Sequence, residues 1–384
     1  MNTEAKGIRF ILDFWKEQYL DEYISKGGSK IKFVTGKQGS GKTYLLQTFQ
    51  KDADKDGFIT VKFSAKDVYL NDFRIIYLEI LKQVDITQRL LDCAKTIVEK
   101  LGDSFDDIPA NRTYIDYLAS EDRADVLNRR AMRDINREMF LRNTMMDHNF
   151  SIACAQLVGD ILGHPKMEES EKDIIMRWLN GDKTVKSASL RAMGFSSGKL
   201  TKYNARNMLR SLAELIRLGG HKGLIVLIDD VDILVDKGGL ENVIYNKNKR
   251  DDSFESIRQL IDDIDSMHNI MFVFGFDRVL IDDEKKGMKS YQALWMRVQN
   301  EIRSERFNRF ADIVDLDNLA LQEYTMDYIL EMSLELAEKA ERASKKASIL
   351  DEEKLQSLID KAKYGAIGLP QLVKEAILEG ETYE

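Results

Sequence analysis

The chain has 384 residues, 43% of them apolar and 32% charged, enough to bury two or three compact units and too apolar to be disordered throughout. Two cysteines and four scattered histidines exclude a disulfide framework and a sequence-encoded zinc site. A net charge of −8 excludes a uniformly basic nucleic-acid coat while leaving room for a local basic patch.

Along the chain, Ile8, Leu12, Trp15 and Tyr19 recur at helical spacing and Gly27-Gly28 end the pattern, predicting an amphipathic helix. The first thirty residues are charged every few positions, so no secretory h-region is expected, and the longest apolar runs fall far short of a membrane span. A cytoplasmic protein, not a membrane protein, is the expectation. IKFVTG (31–36) and FITVKFS (58–64) predict two buried strands. From Arg74 to Leu218 only helical periodicity appears, interrupted at Gly102–Pro109 and Gly163–Glu168. GLIVLID (223–229) and IMFVFG (270–275) predict two further strands, separated by a helix with Phe254, Ile257, Leu260, Ile261 and Ile264 as its apolar stripe. DIVDL (312–316) predicts a last short strand, and helices fill the remainder. Strands alternating with helices imply a parallel α/β sheet. The charged stretches Glu338–Lys346 and Arg123–Arg142, the second balanced by five acids between Glu121 and Glu138, read as solvated helix faces.

GKQGSGKT, Gly36 to Thr43, satisfies G-x-x-x-x-G-K-[ST] between a predicted strand and a predicted helix, the context the motif requires. Gly36, Gly39 and Gly41 let the backbone turn tightly, so that the N–H groups around Ser40, Thr43 and Tyr44 face phosphate at a helix N-terminus. Lys42 is expected on the β and γ oxygens and Thr43 on Mg²⁺, making ATP with Mg²⁺ the expected ligand. GLIVLIDD ends in two carboxylates. Asp229 is the candidate metal-side acid, and Asp230 stands where a glutamate often polarises the attacking water. The open question at Asp230 is whether it instead only caps the next segment. Asp277, just past the IMFVFG strand, is expected mainly as a turn former. Arg297, Arg303, Arg306 and Arg309 precede the last predicted strand. Arg306 and Arg309 lead as candidate arginine fingers for a neighbouring subunit, which implies a homo-oligomer.

These residues resemble AAA+ type P-loop ATPases, and the chain is similar to the ATP-binding proteins of BREX bacteriophage-defence systems, the BrxD-like family. The likeness rests on FVTGKQGSGKTYLL (33–46), GFITVKFS (57–64), RWLNGD (177–182), LRAMGF (190–195), GHKGLIVLIDDVDIL (220–234), SIRQLIDDI (256–264) and FVFGFDRVLIDDEKKGMKSYQALWMRV (272–298). It implies an α/β P-loop NTPase of AAA+ type, a parallel sheet with a large all-helical insertion and a C-terminal helical lid. The expected divisions are 1–73 for the N-terminal helix and first part of the core, 74–218 for the insertion, 219–317 for the rest of the core and 318–384 for the lid. ATP hydrolysis, a helicase-type or other defence-system partner and double-stranded DNA are implied with it. Two departures bear on rate: Asp230 replaces a glutamate, and Gln371 in GLPQ (368–371) stands where such lids often present a sensor arginine. The contrasting expectation is therefore a slowly hydrolysing switch or scaffold. A small-molecule kinase fits poorly, because no lid arginines follow its pattern.

One segment concerns DNA. From Asp182 to Arg210 seven basic residues face a single acid, and SASLRAMGF followed by SSGKLTKYNARNML has helix, glycine turn, helix spacing. Lys199, Lys202 and Arg206 are the candidate DNA contacts. The competing reading is a basic helix pair docked on the acidic ATPase body.

Overall fold

Both faces of each central strand carry large apolar side chains, the pattern of a parallel sheet covered on both sides. The strands are β1 (Ser29–Gly36), β2 (Ile59–Ser64), β3 (Leu224–Asp229), β4 (Ile270–Asp277) and β5 (Ile313–Asp315). They form one five-stranded sheet in the order β2-β3-β4-β1-β5, and every pairing is parallel. This computed structural model describes residues 3–196, 198–236, 238–302, 310–323, 325–342 and 349–378. All five expected strands are present.

The first helices are α1 (Thr3–Phe14), α2 (Lys42–Lys55), α3 (Phe73–Val84), α4 (Ile86–Lys100), α5 (Tyr114–Ser120) and α6 (Val126–Met139). Next come α7 (His148–Leu162), α8 (Glu169–Leu179), α9 (Ser187–Ala192), α10 (Ala205–Leu218), α11 (Lys247–Asp263), α12 (Val279–Asp282) and α13 (Gln292–Ile302). The chain closes with α14 (Leu316–Glu323), α15 (Met326–Arg342), α16 (Glu352–Tyr364) and α17 (Leu369–Leu378). Aspartates start several of these: Asp72, Asp85, Asp125 and Asp147 accept hydrogen bonds from first-turn N–H groups of α3, α4, α6 and α7. The N-terminal helix differs from a single amphipathic α-helix. After Phe14 it widens into π-helical turns over Trp15–Ile24, and that longer period brings Trp15, Tyr19, Leu20 and Ile24 together on the buried side.

Alternate residues of a strand feed two cores. Ile270, Phe272, Phe274 and Phe276 join Leu224, Val226 and Ile228 on the face that packs against α3, α11 and the helices from α4 to α10. Met271 and Val273 join Ile225 and Leu227 on the opposite face, against α2 and the N-terminal helix. Helices α15 to α17 gather around an apolar cluster of their own that includes Leu355, Leu369 and Val373. One fully buried cation interrupts the apolar sheet. Lys32 donates to the Ala311 carbonyl at 2.7 Å and the Phe310 carbonyl at 3.0 Å, tying β1 to the approach of β5, with the Tyr19 ring 4.4 Å from its ammonium.

Phe272 is fully buried and sits mid-strand with Phe274 stacked beside it. Phe272→Ala is expected to lower unfolding free energy by about 3–5 kcal/mol in urea titrations followed by circular dichroism.

Candidate functional site

Strand register decides which side chains meet. Gly36 is opposite Asp277, Ser64 opposite Asp229, and Thr35 opposite Asp315, so the carboxyl ends of all five strands finish at one edge. Because β1 lies between β4 and β5, the chain emerging from β1 meets the crevice where ligands bind in open α/β sheets. β4 also lies between β1 and β3, the placement that puts Asp277 beside the glycine loop.

That loop, Gly36–Thr43, runs directly into α2. Gly39 (φ 76°) and Gly41 (φ 97°) take left-handed conformations that suit glycine. Gly41 caps α2 with no side-chain hydrogen bond, leaving the positive end of a 14-residue helix open at the crevice. The Ser40 hydroxyl is buried without a hydrogen-bond partner among the described residues. Beside the loop lies a cavity of about 450 Å³, lined by Gly39 to Tyr44, with Ile8, Met332 and Pro370 as apolar walls and Gln47, Gln371 and Lys374 as polar ones. An open helix end, an unpartnered buried hydroxyl and a chamber with an apolar wall fit the phosphates and base of a nucleotide.

Lys42 borders that cavity, but its ammonium is taken up by groups of the protein. Its ammonium donates to the carbonyls of Gly36 at 3.0 Å and Lys37 at 2.9 Å and forms a short ion pair with Asp277. Asp277 therefore does more than shape a turn. Its own backbone N–H donates to the Asp232 carboxylate at 2.9 Å. Burial pushes the Asp232 carboxyl above the usual carboxylate range, and the charge of Asp277 adds to it. On the other side of the loop Asp317 accepts from the Lys37 N–H at 2.7 Å, and burial likewise raises its pKa.

Asp229 is buried at 5% exposure, and its carboxylate oxygen lies 2.9 Å from where a Cβ on Gly275 would sit. The glycine on β4 is what admits this acid. Asp230 has φ 58°, uncommon for a residue with a Cβ, and its N–H donates to Asp229 at 3.0 Å. Its carboxylate accepts from Lys66 at 2.6 Å and Ser64 at 2.7 Å. Burial alone would raise the Asp230 pKa, but the hydrogen bonds from Lys66 and Ser64 outweigh it and hold the carboxyl below its ordinary value. Lys66 and Ser64 escaped the sequence reading. The available signal was strand adjacency, since residues just past β2 must stand beside those just past β3 once the two pair.

The C-terminal helices close over the loop. Gly368 donates its N–H to the Gln38 carbonyl at 2.8 Å, and a Cβ there would meet the Ser40 backbone at 2.6–2.7 Å. Lys37 reaches the Ala362 carbonyl at the end of α16 at 2.7 Å. Gln371 stands against Gly39 and donates to Glu375 at 2.6 Å, while Lys374, one turn further on α17, lines the same cavity.

The arginine candidates divide. Arg303, Arg306 and Arg309 lie outside the described residues, and Arg297 is engaged within the chain by Asp262 at 2.7 and 2.8 Å. In the basic segment, Lys199 and Lys202 are exposed, Lys199 donating to the Lys183 carbonyl at 2.9 Å, whereas Arg206 pairs with Asp263 of α11 at 2.7 Å. The helix, turn, helix spacing is realised as α9, a turn and α10, and α10 buries Met208, Leu209, Leu212, Leu215 and Ile216 in the large core.

Residues 17–373 match the family model described as BREX system ATP-binding protein BrxC/D, a span that includes every strand and the site from Gly36 to Gln371. No curated protein matches the chain significantly. Among the described residues no helix is long and apolar enough to cross a membrane.

Two outcomes follow from these ion pairs. Asp277→Asn releases Lys42 in the free protein, so a fluorescent ATP analogue is expected to bind about tenfold more tightly, the worth of one charge-assisted hydrogen bond; weaker binding would show that Asp277 serves the nucleotide directly. Lys66→Met removes the partner that depresses the Asp230 pKa. Its stability deficit, at most about 1 kcal/mol for so exposed a pair, is expected at pH 7 and should vanish as pH falls through the folded Asp230 pKa, read by urea denaturation across pH.

Proposed function

The chain belongs to the family of BREX system ATP-binding proteins, BrxC/D, and from that premise we propose that it is an AAA+ type ATPase that hydrolyses Mg·ATP. Membership ties it to ATP binding, to phage defence and to other proteins of a defence system. What supports the hydrolytic reading is that the glycine loop leading into Lys42 and Thr43 follows β1 while Asp229 ends β3 and Asp230 follows it, all at the carboxyl edge of one sheet. Lys42 leaves Asp277 to neutralise the β and γ oxygens, and the open end of α2 receives the phosphates. Thr43 and Asp229 are the residues that would hold Mg²⁺, which would supply positive charge to offset that of the phosphates. Asp230 orients water for in-line attack once it parts from Lys66 and Ser64. The helices α15 to α17 act as the lid, with Gln371 and Lys374 over the nucleotide. Arg306 or Arg309 completes the site of an adjoining subunit, making the working form a homo-oligomer. Duplex DNA and a helicase-type protein are the partners proposed, with Lys199 and Lys202 as exposed cations toward DNA and Arg206 holding their segment to α11.

A second reading has its own support. In this structure the lysine and the water-orienting acid are both held by other residues, Lys42 by Asp277 and Asp230 by Lys66. A protein resting in that arrangement would bind nucleotide and turn it over rarely, as a switch or scaffold. Steady-state ATP hydrolysis with and without duplex DNA, with Lys42→Ala as the blank, separates the two. The ATPase reading expects DNA-stimulated turnover that Lys42→Ala abolishes. Tight ATP binding without turnover in either condition would establish the switch.

A further inference from the structure

Residues 121–142 hold six arginines and five acids and look nearly neutral when counted along the chain, but the fold separates the charges. Arg123 is held by Asp103 through two hydrogen bonds of 2.8 and 3.0 Å. Along α6, Arg130 lies 3.6 Å from Asp134, and Arg142 pairs with Glu138. Asp125 is engaged in capping the helix through the Asn128 N–H. Those contacts occupy Asp103, Asp125, Asp134 and Glu138 and leave a second row of arginines. Arg129, Arg133 and Arg137 are all exposed and form no ion pair among the described residues. The stripe beside them is anchored by Met132, Asn136 and Met139, with the Asn136 amide donating to the Ala155 carbonyl on α7 at 2.9 Å. The row is therefore presented on a helix whose orientation is fixed by burial.

Its spacing is informative. Residues four apart rise about 6 Å along an α-helix, so the three guanidinium groups span about 12 Å on one stripe. One strand of B-DNA rises about 3.4 Å per nucleotide along the duplex axis, so a row laid parallel to that axis passes roughly three to four nucleotides. Like charges at i, i+4 destabilise an isolated helix, a cost that a polyanion would reverse. Arginine further suits phosphate because its planar fork can donate two hydrogen bonds to one group. A row of unpaired arginines in a chain of net charge −8 is a local departure from its field. We infer that Arg129, Arg133 and Arg137 on α6 contact the phosphate backbone of duplex DNA. This rests on the DNA part of the proposed function and adds a contact surface distinct from Lys199 and Lys202.

The test is fluorescence anisotropy of a labelled DNA duplex against the full chain, with ATP present, across 50–200 mM salt, comparing wild type with Arg129→Gln/Arg133→Gln/Arg137→Gln. The triple variant is expected to bind at least about tenfold more weakly at the lowest salt, and the slope of log affinity against log salt should become shallower by about 2–3. A triple Arg→Lys variant should recover most of the slope, and Arg130→Gln/Arg142→Gln, whose charges are already paired, should change it less. A wild-type protein that binds duplex while the Gln variant keeps its affinity and slope would overturn this surface and leave the DNA reading standing. A wild-type protein with no salt-dependent duplex binding would overturn both. ATP binding by the Gln variant, measured with the same fluorescent analogue, is expected to be unchanged and reports that the core is intact.

Discussion

The parallel pairing of β4 with β1 on one side and β3 on the other places Asp277 against Gly36 and Gly275 against Asp229, and the chemistry of the protein depends on that alignment. A slip of one residue in β4 would exchange its two faces, sending Phe272 and Phe274 to the side of α2 and moving Gly275 away from Asp229. Because both faces are apolar and differently shaped, phenylalanines on one and Met271 with Val273 on the other, the register has a strong energetic preference. The site inherits its precision from that core.

Four aspartates, Asp229, Asp230, Asp232 and Asp277, are thereby collected at one edge, and the cations that offset them come from different parts of the chain. Lys42 comes from the glycine loop, and Lys62 and Lys66 come from β2 and its exit. A nucleotide brings further negative charge into this group. On the function proposed above, its binding would draw Lys42 from Asp277, and catalytic use of Asp230 would draw it from Lys66 and Ser64. The close seat of Gly368 on Ser40 connects both to the C-terminal helices, since a phosphate entering the loop meets a segment that those helices hold.

Charge elsewhere on the molecule follows the same logic of pairing rather than counting. The segment from Asp182 to Arg210 has the larger formal excess, yet Arg206 is drawn to Asp263 and the α10 helix is committed to the core. In α6 the formal excess is small, but helical geometry brings Asp134 and Glu138 to other arginines and leaves Arg129, Arg133 and Arg137 without ion pairs. Electrostatic character belongs to a surface stripe, and a stripe is a product of the helix and its buried side.

Much of this was legible before any coordinates. GKQGSGKT between a strand and a helix, the two acids ending GLIVLIDD, and five β-rich runs between helical stretches define a parallel α/β nucleotide fold by local chemistry: glycine freedom, side-chain period and the open helix end act over a few residues. The sequence likewise carried the family resemblance. What it left undetermined were contacts between residues far apart in the chain: Asp277 with Lys42, Lys66 with Asp230, Gly368 with Ser40, Arg206 with Asp263. Those depend on strand order and on which helix faces are buried, and neither is encoded in any short window. Tertiary packing decided them, because only when the sheet closes its two cores are distant charges brought within hydrogen-bonding reach.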